Sequence, residues 1–136
     1  MSDTEAVLSR RMALGGAAAL LAAGGAAAQG RRMPGEGDLY GRVGQLTAQL
    51  GRRAELIAIL AEGTGGMPGC LGYIIAEDRG DPDAIWITEV WRSQQDHAAS
   101  LRLAAVRDAI RRGRPLIAGF ETGAETRPLA GVGLPG

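Results

Sequence analysis

Apolar positions change period several times along the chain, and each change marks a boundary. Residues 39–46 carry Leu39, Tyr40, Val43 and Leu46 in an extended pattern interrupted by Gly41 and Gly44. That pattern predicts a strand either at an edge or where another backbone comes close. From Arg52 to Glu62 the period lengthens: Leu56, Ile57 and Leu60 fall on one helical face, and Gly63 follows as a C-terminal stop. Cys70–Glu77 and Ala84–Trp91 are β-branched and aromatic runs separated by the turn cluster Asp78-Arg79-Gly80-Asp81-Pro82-Asp83, which predicts a hairpin. A second helix opens at Ser93, with Ser93 and Asp96 in N-cap and N3 spacing. Ala99, Leu103, Val106 and Ile110 form its core-facing stripe, widened by Ala98, Leu101, Ala105 and Ala109. Gly113 and Pro115 end it, and Phe120–Arg127 is the fourth strand.

The order is β-α-β-β-α-β, an α+β chain of ferredoxin-like arrangement. Two helices cover only one face of a four-stranded antiparallel sheet. Strands two and three carry apolar residues on both parities: Leu71, Tyr73, Ile74 and Ile75, then Ile85, Trp86, Ile87, Val90 and Trp91. Both faces are therefore expected to be buried, and a second copy packed sheet to sheet is the simplest cover. Trp86 and Trp91 have opposite parity, so one belongs under the helices and the other on the partner-facing side.

With 136 residues the chain has room for one ordinary domain. The formal charge is zero and no block of like charge occurs, which argues against a nucleic-acid partner. All 15 basic residues are arginine, and lysine and asparagine are absent. Schiff-base lysine chemistry and any asparagine-dependent mechanism are thereby excluded. Cys70 and His97 are each the single residue of their type. An intramolecular disulfide and a structural zinc site are ruled out, and Cys70 reads as a small buried hydrophobe on a strand.

At the N-terminus, Arg10-Arg11 precedes an Ala, Leu and Gly run that reaches Ala28, with Ala26-Ala27-Ala28 as a small-residue cleavage site. Residues 1–28 are expected to be a twin-arginine-type export signal, with delivery to the periplasm, although Ala13 stands where that pattern usually has Phe. Met12–Ala28 falls short of the roughly 20 residues a spanning helix needs, so no membrane span is expected after cleavage. Residues 29–37 read as a flexible lead-in, 38–128 as the domain and 129–136 as a Gly/Pro-rich tail.

Chemistry concentrates between Ile85 and Leu101, where a strand end, a helix start, an aromatic ring and a titratable base fall together. His97 sits about four residues into the second helix. The helix dipole and burial both favour its neutral form there. A neutral imidazole facing a cavity takes a proton from a phenol or quinol; a core-packed or capping histidine is the competing role. Trp91 stands where it can wall an aromatic pocket, though core packing explains it equally. Glu89 shares the parity of Trp91 and is a carboxylate in an apolar strand. It either forms a structural ion pair with Arg42 or Arg92, or orients a bound ligand. Tyr73 and Tyr40 are strand phenols whose ordinary role is packing.

The segments P-G-C-L-G-Y at 68–73, A-I-W-I-T-E-V-W-R-S at 84–93, H-A-A-S-L at 97–101 and R-P-L-I-A-G-F at 114–120 resemble the antibiotic biosynthesis monooxygenase domain, nearest its quinol monooxygenase branch. The resemblance spans residues 38–128, and its most specific part is E-x-W-x-S-x3-H, read here as Glu89, Trp91, Ser93 and His97. It implies a homodimeric α+β barrel with a cavity between sheet and helices. It also implies oxidation of a quinol or polyketide phenol by O2 with no metal, flavin or haem cofactor. His97 would be the base, with Trp91, Tyr73 and Leu103 lining the pocket. A haem-degrading branch of the superfamily uses an asparagine on the first strand and a histidine farther along the second helix. This chain has no asparagine, and Leu101 lies about one turn beyond His97, so that branch fits less well.

A non-catalytic ligand-binding or structural dimer is the alternative. The enzymatic role requires His97 to face a cavity wide enough for an aromatic ring. The non-catalytic one predicts His97 satisfied by protein partners with little free volume nearby.

Overall fold

A computed structural model describes residues 37–135, so the expected signal at 1–28 and all but the last residue of the lead-in lie outside the described residues. Its elements are β1 (Tyr40–Ala48), α1 (Arg53–Gly63), β2 (Cys70–Glu77), β3 (Ala84–Trp91), α2 (Gln94–Ser100), α3 (Ala104–Gly113), a 3-10 turn (Arg114–Leu116) and β4 (Ile117–Thr126). The strands form one antiparallel sheet in the order β2-β3-β1-β4, with the helices on one face. β2 and β3 have the predicted bounds. β1 is central rather than an edge, and its Gly41 serves the close approach: a Cβ there would overlap Thr126 of β4 and press on Pro128.

Alternation on β3 is clean. Ile85, Ile87, Glu89 and Trp91 are buried beneath the helices, whereas Trp86, Thr88 and Val90 turn to the opposite face. Trp86 anchors there by donating its indole N–H to Asp78 Oδ2 at 2.8 Å. Two cross-strand rows of that open face, Ile74–Thr88–Val43–Ala124 and Ala76–Trp86–Gln45–Thr122, carry no charge. Ile74 is 60% exposed. Within one chain, then, only one of the two faces expected to be buried is covered.

Two helical expectations need correction. Gly63 does not stop α1; it is the last helical residue, and Thr64 closes the helix by donating its N–H and hydroxyl to the Leu60 carbonyl. Glycine is needed at 63 because a Cβ would overlap the Ala109 methyl of α3. The single second helix is in fact two. The N–H groups of Leu101, Arg102 and Leu103 bond carbonyls three residues back, and Leu103 is extended (φ −65°, ψ 136°) before α3 begins. This break shifts the helical phase. Ala98 and Ala99 are exposed, while His97, Ser100, Val106 and Ala109 are buried.

The core has two centres. Leu46, Leu56, Leu60, Ile85, Ile87 and Leu116 pack at one end. Tyr40, Met67, Trp91 and Val106 pack at the other, where β3 ends and α2 begins.

Candidate active site

Register builds the site before any helix is added. Tyr73 of β2, Glu89 of β3, Arg42 of β1 and Glu125 of β4 form one row across the sheet, and Trp91 stands opposite Tyr40 in the next. α2 lowers His97 onto these rows. Its start is set by Ser93, whose Oγ accepts from the Asp96 N–H at 3.1 Å, the N-cap bond the sequence predicts. Gly69 (φ +80°) is also required here, since any Cβ would run into the Asp96 side chain.

His97 is buried between two rings. Its centroid lies 5.2 Å from that of Tyr40 and 5.4 Å from that of Trp91, the latter edge-on at 78°. The Trp91 indole N–H donates to Glu89 Oε1 at 3.0 Å. Arg42, also buried, turns the other way: Nη1 donates to the Tyr40 hydroxyl at 3.1 Å and lies 3.5 Å from Glu125 Oε1, which also accepts from Tyr40 at 2.7 Å. Of the two arginines considered as partners for Glu89, Arg42 is the one beside it in the register; Arg92 is exposed.

Burial dominates the proton affinities. It raises Glu89 to about 7 against the opposing pull of the Trp91 hydrogen bond and the Arg42 charge. It lowers His97 to about 4, helped by Arg42. Desolvation and not the helix dipole therefore keeps His97 neutral, since α2 is only seven residues long and His97 already falls in its last turn. Tyr73 is raised well above an ordinary phenol, first by burial and then by Glu89. His97 Nε2 lies 3.8 Å from Glu89 Oε1, beyond hydrogen-bond reach. The contact would become an ion pair only with His97 protonated, which its low proton affinity opposes. Among the described residues the imidazole nitrogens make no hydrogen bond, so their capacity faces the space in front of them.

That space is a cavity of about 20 Å³ whose lining includes Tyr73, Glu89, Trp91, His97, Ser100 and Leu101, room for about one water. A larger apolar lobe of about 130 Å³ adjoins it, lined among others by Gly113, Ile117 and Phe120. Leu60, Ala109 and Ile110 border both spaces and form the wall between them. His97, Glu89, Trp91 and Tyr73 thus converge as predicted. Leu103 does not: it packs against the Tyr40–Met67–Trp91–Val106 cluster outside the cavity lining, because the helix break turns it away. Sequence reasoning gives Tyr40 and Arg42 only packing and pairing roles, yet they shape the site's charge. The two criteria for His97 divide, since its nitrogens lack protein partners while the free volume before it is small. Among the described residues no group of three His, Cys, Asp or Glu side chains could hold a metal ion, and no helix is long and apolar enough to cross a membrane.

No curated protein matches the chain. Among solved structures it is similar to a provisionally assigned antibiotic biosynthesis monooxygenase from Chloroflexus aurantiacus J-10-fl. The identity is 56%, with 68% of this chain and 95% of that one covered at a TM-score of 0.68. SnoaB, a cofactor-independent oxygenase from Streptomyces nogalater solved as a point mutant, shares the fold at 18% identity. That match covers 68% of this chain and 93% of that one at a TM-score of 0.55. A provisionally assigned family member from Caulobacter crescentus CB15 does likewise at 18% identity, 70% and 93% coverage and a TM-score of 0.61. Residues 39–112, more than half of the chain, match the antibiotic biosynthesis monooxygenase family, and the chain belongs to it.

Proposed function

We propose that the protein is a cofactor-independent monooxygenase that oxidises a quinol or related dihydroxyaromatic with O2. The observation that carries this reading is the pairing of Glu89, at about 7, with a neutral His97 whose nitrogens have no protein partner, both facing one desolvated cavity. A general base works best with a proton affinity near the operating pH. Glu89 meets that condition better than His97, so the proton acceptor is the pair, with Glu89 its stronger member. Removing a phenolic proton leaves an electron-rich phenolate that reduces O2 by one electron. Recombination forms a C–O bond and a hydroperoxide, and loss of water leaves a new carbonyl. For a simple quinol the sum is quinol plus O2 giving hydroxyquinone plus H2O.

The small cavity favours a second reading, a non-catalytic ligand-binding or structural dimer. Admission of a ring requires the Leu60–Ala109–Ile110 wall to part, and the apolar lobe beyond it already has about the volume of one ring. Oxygen uptake with a panel of quinols, corrected for spontaneous oxidation, separates the two. Saturable uptake that falls about 10²-fold or more in Glu89→Gln or His97→Ala supports the oxygenase. Rates no faster than the quinol alone support the other.

Two further features belong to this reading. The open face of the sheet, whose two central rows carry no charge and on which Ile74 is 60% exposed, is suited to a homodimer packed sheet to sheet. Residues 1–28 direct twin-arginine-type export to the periplasm; signal cleavage and location follow from fractionation of a producing cell.

A further inference from the structure

Between residues 101 and 114 stand Arg102, Arg107, Arg111, Arg112 and Arg114 against a single acid, Asp108, in a chain of zero net charge. Arg111 and Arg112 both pair with Asp108, and Arg112 also with Glu62 at 3.4 Å. Arg102, Arg107 and Arg114 make no ion pair among the described residues. The negative end of the α3 dipole accounts for Arg111 and Arg112. It does not account for Arg107, in the first turn of α3, or for Arg102 just ahead of it, where the dipole disfavours a cation.

These three unpaired arginines line one open groove of about 830 Å³ along the outer side of α3, together with Leu101, Ile110 and the mutually paired Arg111 and Asp108. Leu101 and Ile110 also line the His97 cavity. Ile110 and Arg114 line the apolar lobe. A cationic groove, an apolar lobe with the volume of one ring and a cavity holding a base therefore meet at Ile110.

We propose that this junction docks the substrate, and that the substrate is an amphipathic aromatic anion. Its carboxylate lies in the groove against Arg102, Arg107 and Arg114, and its ring enters the lobe beside Ile110. Guanidinium forks offer a carboxylate charge-assisted, geometrically matched hydrogen bonds. An apolar space of about 130 Å³ accepts a single ring, as a cavity of about 150 Å³ accepts benzene. Each half of the site is weak alone. A molecule carrying both groups engages both halves without a second association cost. That the docked molecule is a substrate rests on the oxygenase reading above; that it binds does not.

The test compares 2,5-dihydroxybenzoate with hydroquinone, the same ring without the carboxylate, by calorimetric titration of the full chain under anaerobic conditions. The carboxylate is expected to bind about tenfold tighter at low salt, with the advantage shrinking as salt rises. Arg102→Gln and Arg107→Gln, which line the groove but not the lobe, each lower its affinity about two- to five-fold and leave hydroquinone binding and the melting temperature unchanged. Equal affinities for the two ligands, or arginine variants that bind the carboxylate as wild type does, overturn the proposal. Oxygen uptake with the same pair keeps the two ideas apart. A dihydroxybenzoate that binds as stated but is oxidised no faster than in buffer refutes the oxygenase and upholds the docking site. Hydroquinone turnover without a carboxylate preference does the reverse.

Discussion

Replacing Glu89 by Gln should change how stability depends on pH, with a sign that the site dictates. In the folded chain Glu89 holds its proton to about 7, against 4.5 for a free side chain, chiefly through burial. Unfolding between those values therefore releases a proton, and this group's contribution to stability, fully present below 4.5, is lost as pH rises through 7. His97 runs oppositely. Its folded value is about 4 against 6.5, so unfolding takes up a proton and its contribution grows as pH rises from 4 to 6.5. Each displacement is worth about 3 kcal/mol in full, at 1.36 kcal/mol per tenfold change in proton affinity. Over pH 4.5 to 7 the two nearly cancel in the wild type.

Each variant unmasks the other group. Relative to wild type, Glu89→Gln should gain about 2 kcal/mol of stability as pH rises from 4.5 to 7, and His97→Gln should lose about the same. Neither displacement is caused by the other group, since burial and Arg42 account for both apart from the Trp91 bond to Glu89, so the effects should survive single replacement. Urea titrations followed by tryptophan fluorescence at fixed protein concentration measure this, because Trp91 is buried against the same residues. Three parallel stability profiles would refute the claim that the folded pair retains a proton across this range.

Further outcomes follow from the same geometry. The rate of quinol oxidation should rise with pH around a midpoint near 7 as Glu89 ionises, and Glu89→Gln should abolish that limb; a wild-type profile flat from pH 5 to 9 would exclude Glu89 as the base. A protonated-carboxyl infrared band should be present at pH 5.5, weaken through 7 and be missing from Glu89→Gln. Gly63→Ala should cost about 1 kcal/mol in thermal unfolding, because overpacking against Ala109 outweighs the gain in helix propensity; a stabilised variant would show that α1 and α3 are not in tight contact. Thr88→Arg, at the centre of the open face, should sediment as a monomer where the wild type sediments as the proposed dimer, whereas an unchanged mass would place any dimer interface elsewhere.

What the sequence made legible was local chemistry. The β2–β3 hairpin was readable because two β-branched runs flank a turn cluster, and the start of α2 because Ser93 and Asp96 make a cap within four residues. The break at Leu103 was not, since no glycine or proline marks it. It depends on seating Val106 and Ala109 against the sheet and Gly63 while His97 stays over β3, a demand made by distant residues. The same holds for the site. Glu89, Trp91 and His97 lie within nine residues of one another, so their convergence follows from strand parity and one cap. Tyr40 and Arg42 lie about 50 residues away, and only the pairing of β1 with β3 brings them to the same rows.

That pairing also connects the site to β4. Arg42 is 4% exposed, and a buried guanidinium is costly unless an anion balances it. Glu125 supplies that balance at 3.5 Å while remaining half exposed on the outer part of β4. Glu89, beside Arg42 in the register, feels only what Glu125 leaves uncompensated. Glu125→Gln should therefore turn the full Arg42 charge toward Glu89 and favour its ionised form. Loss of the carboxyl band and the rise in activity should both move down by about one pH unit. A structural role for Glu125 alone would lower stability and leave both midpoints in place. Displaced midpoints would mean that a residue two strands from Glu89 tunes the base.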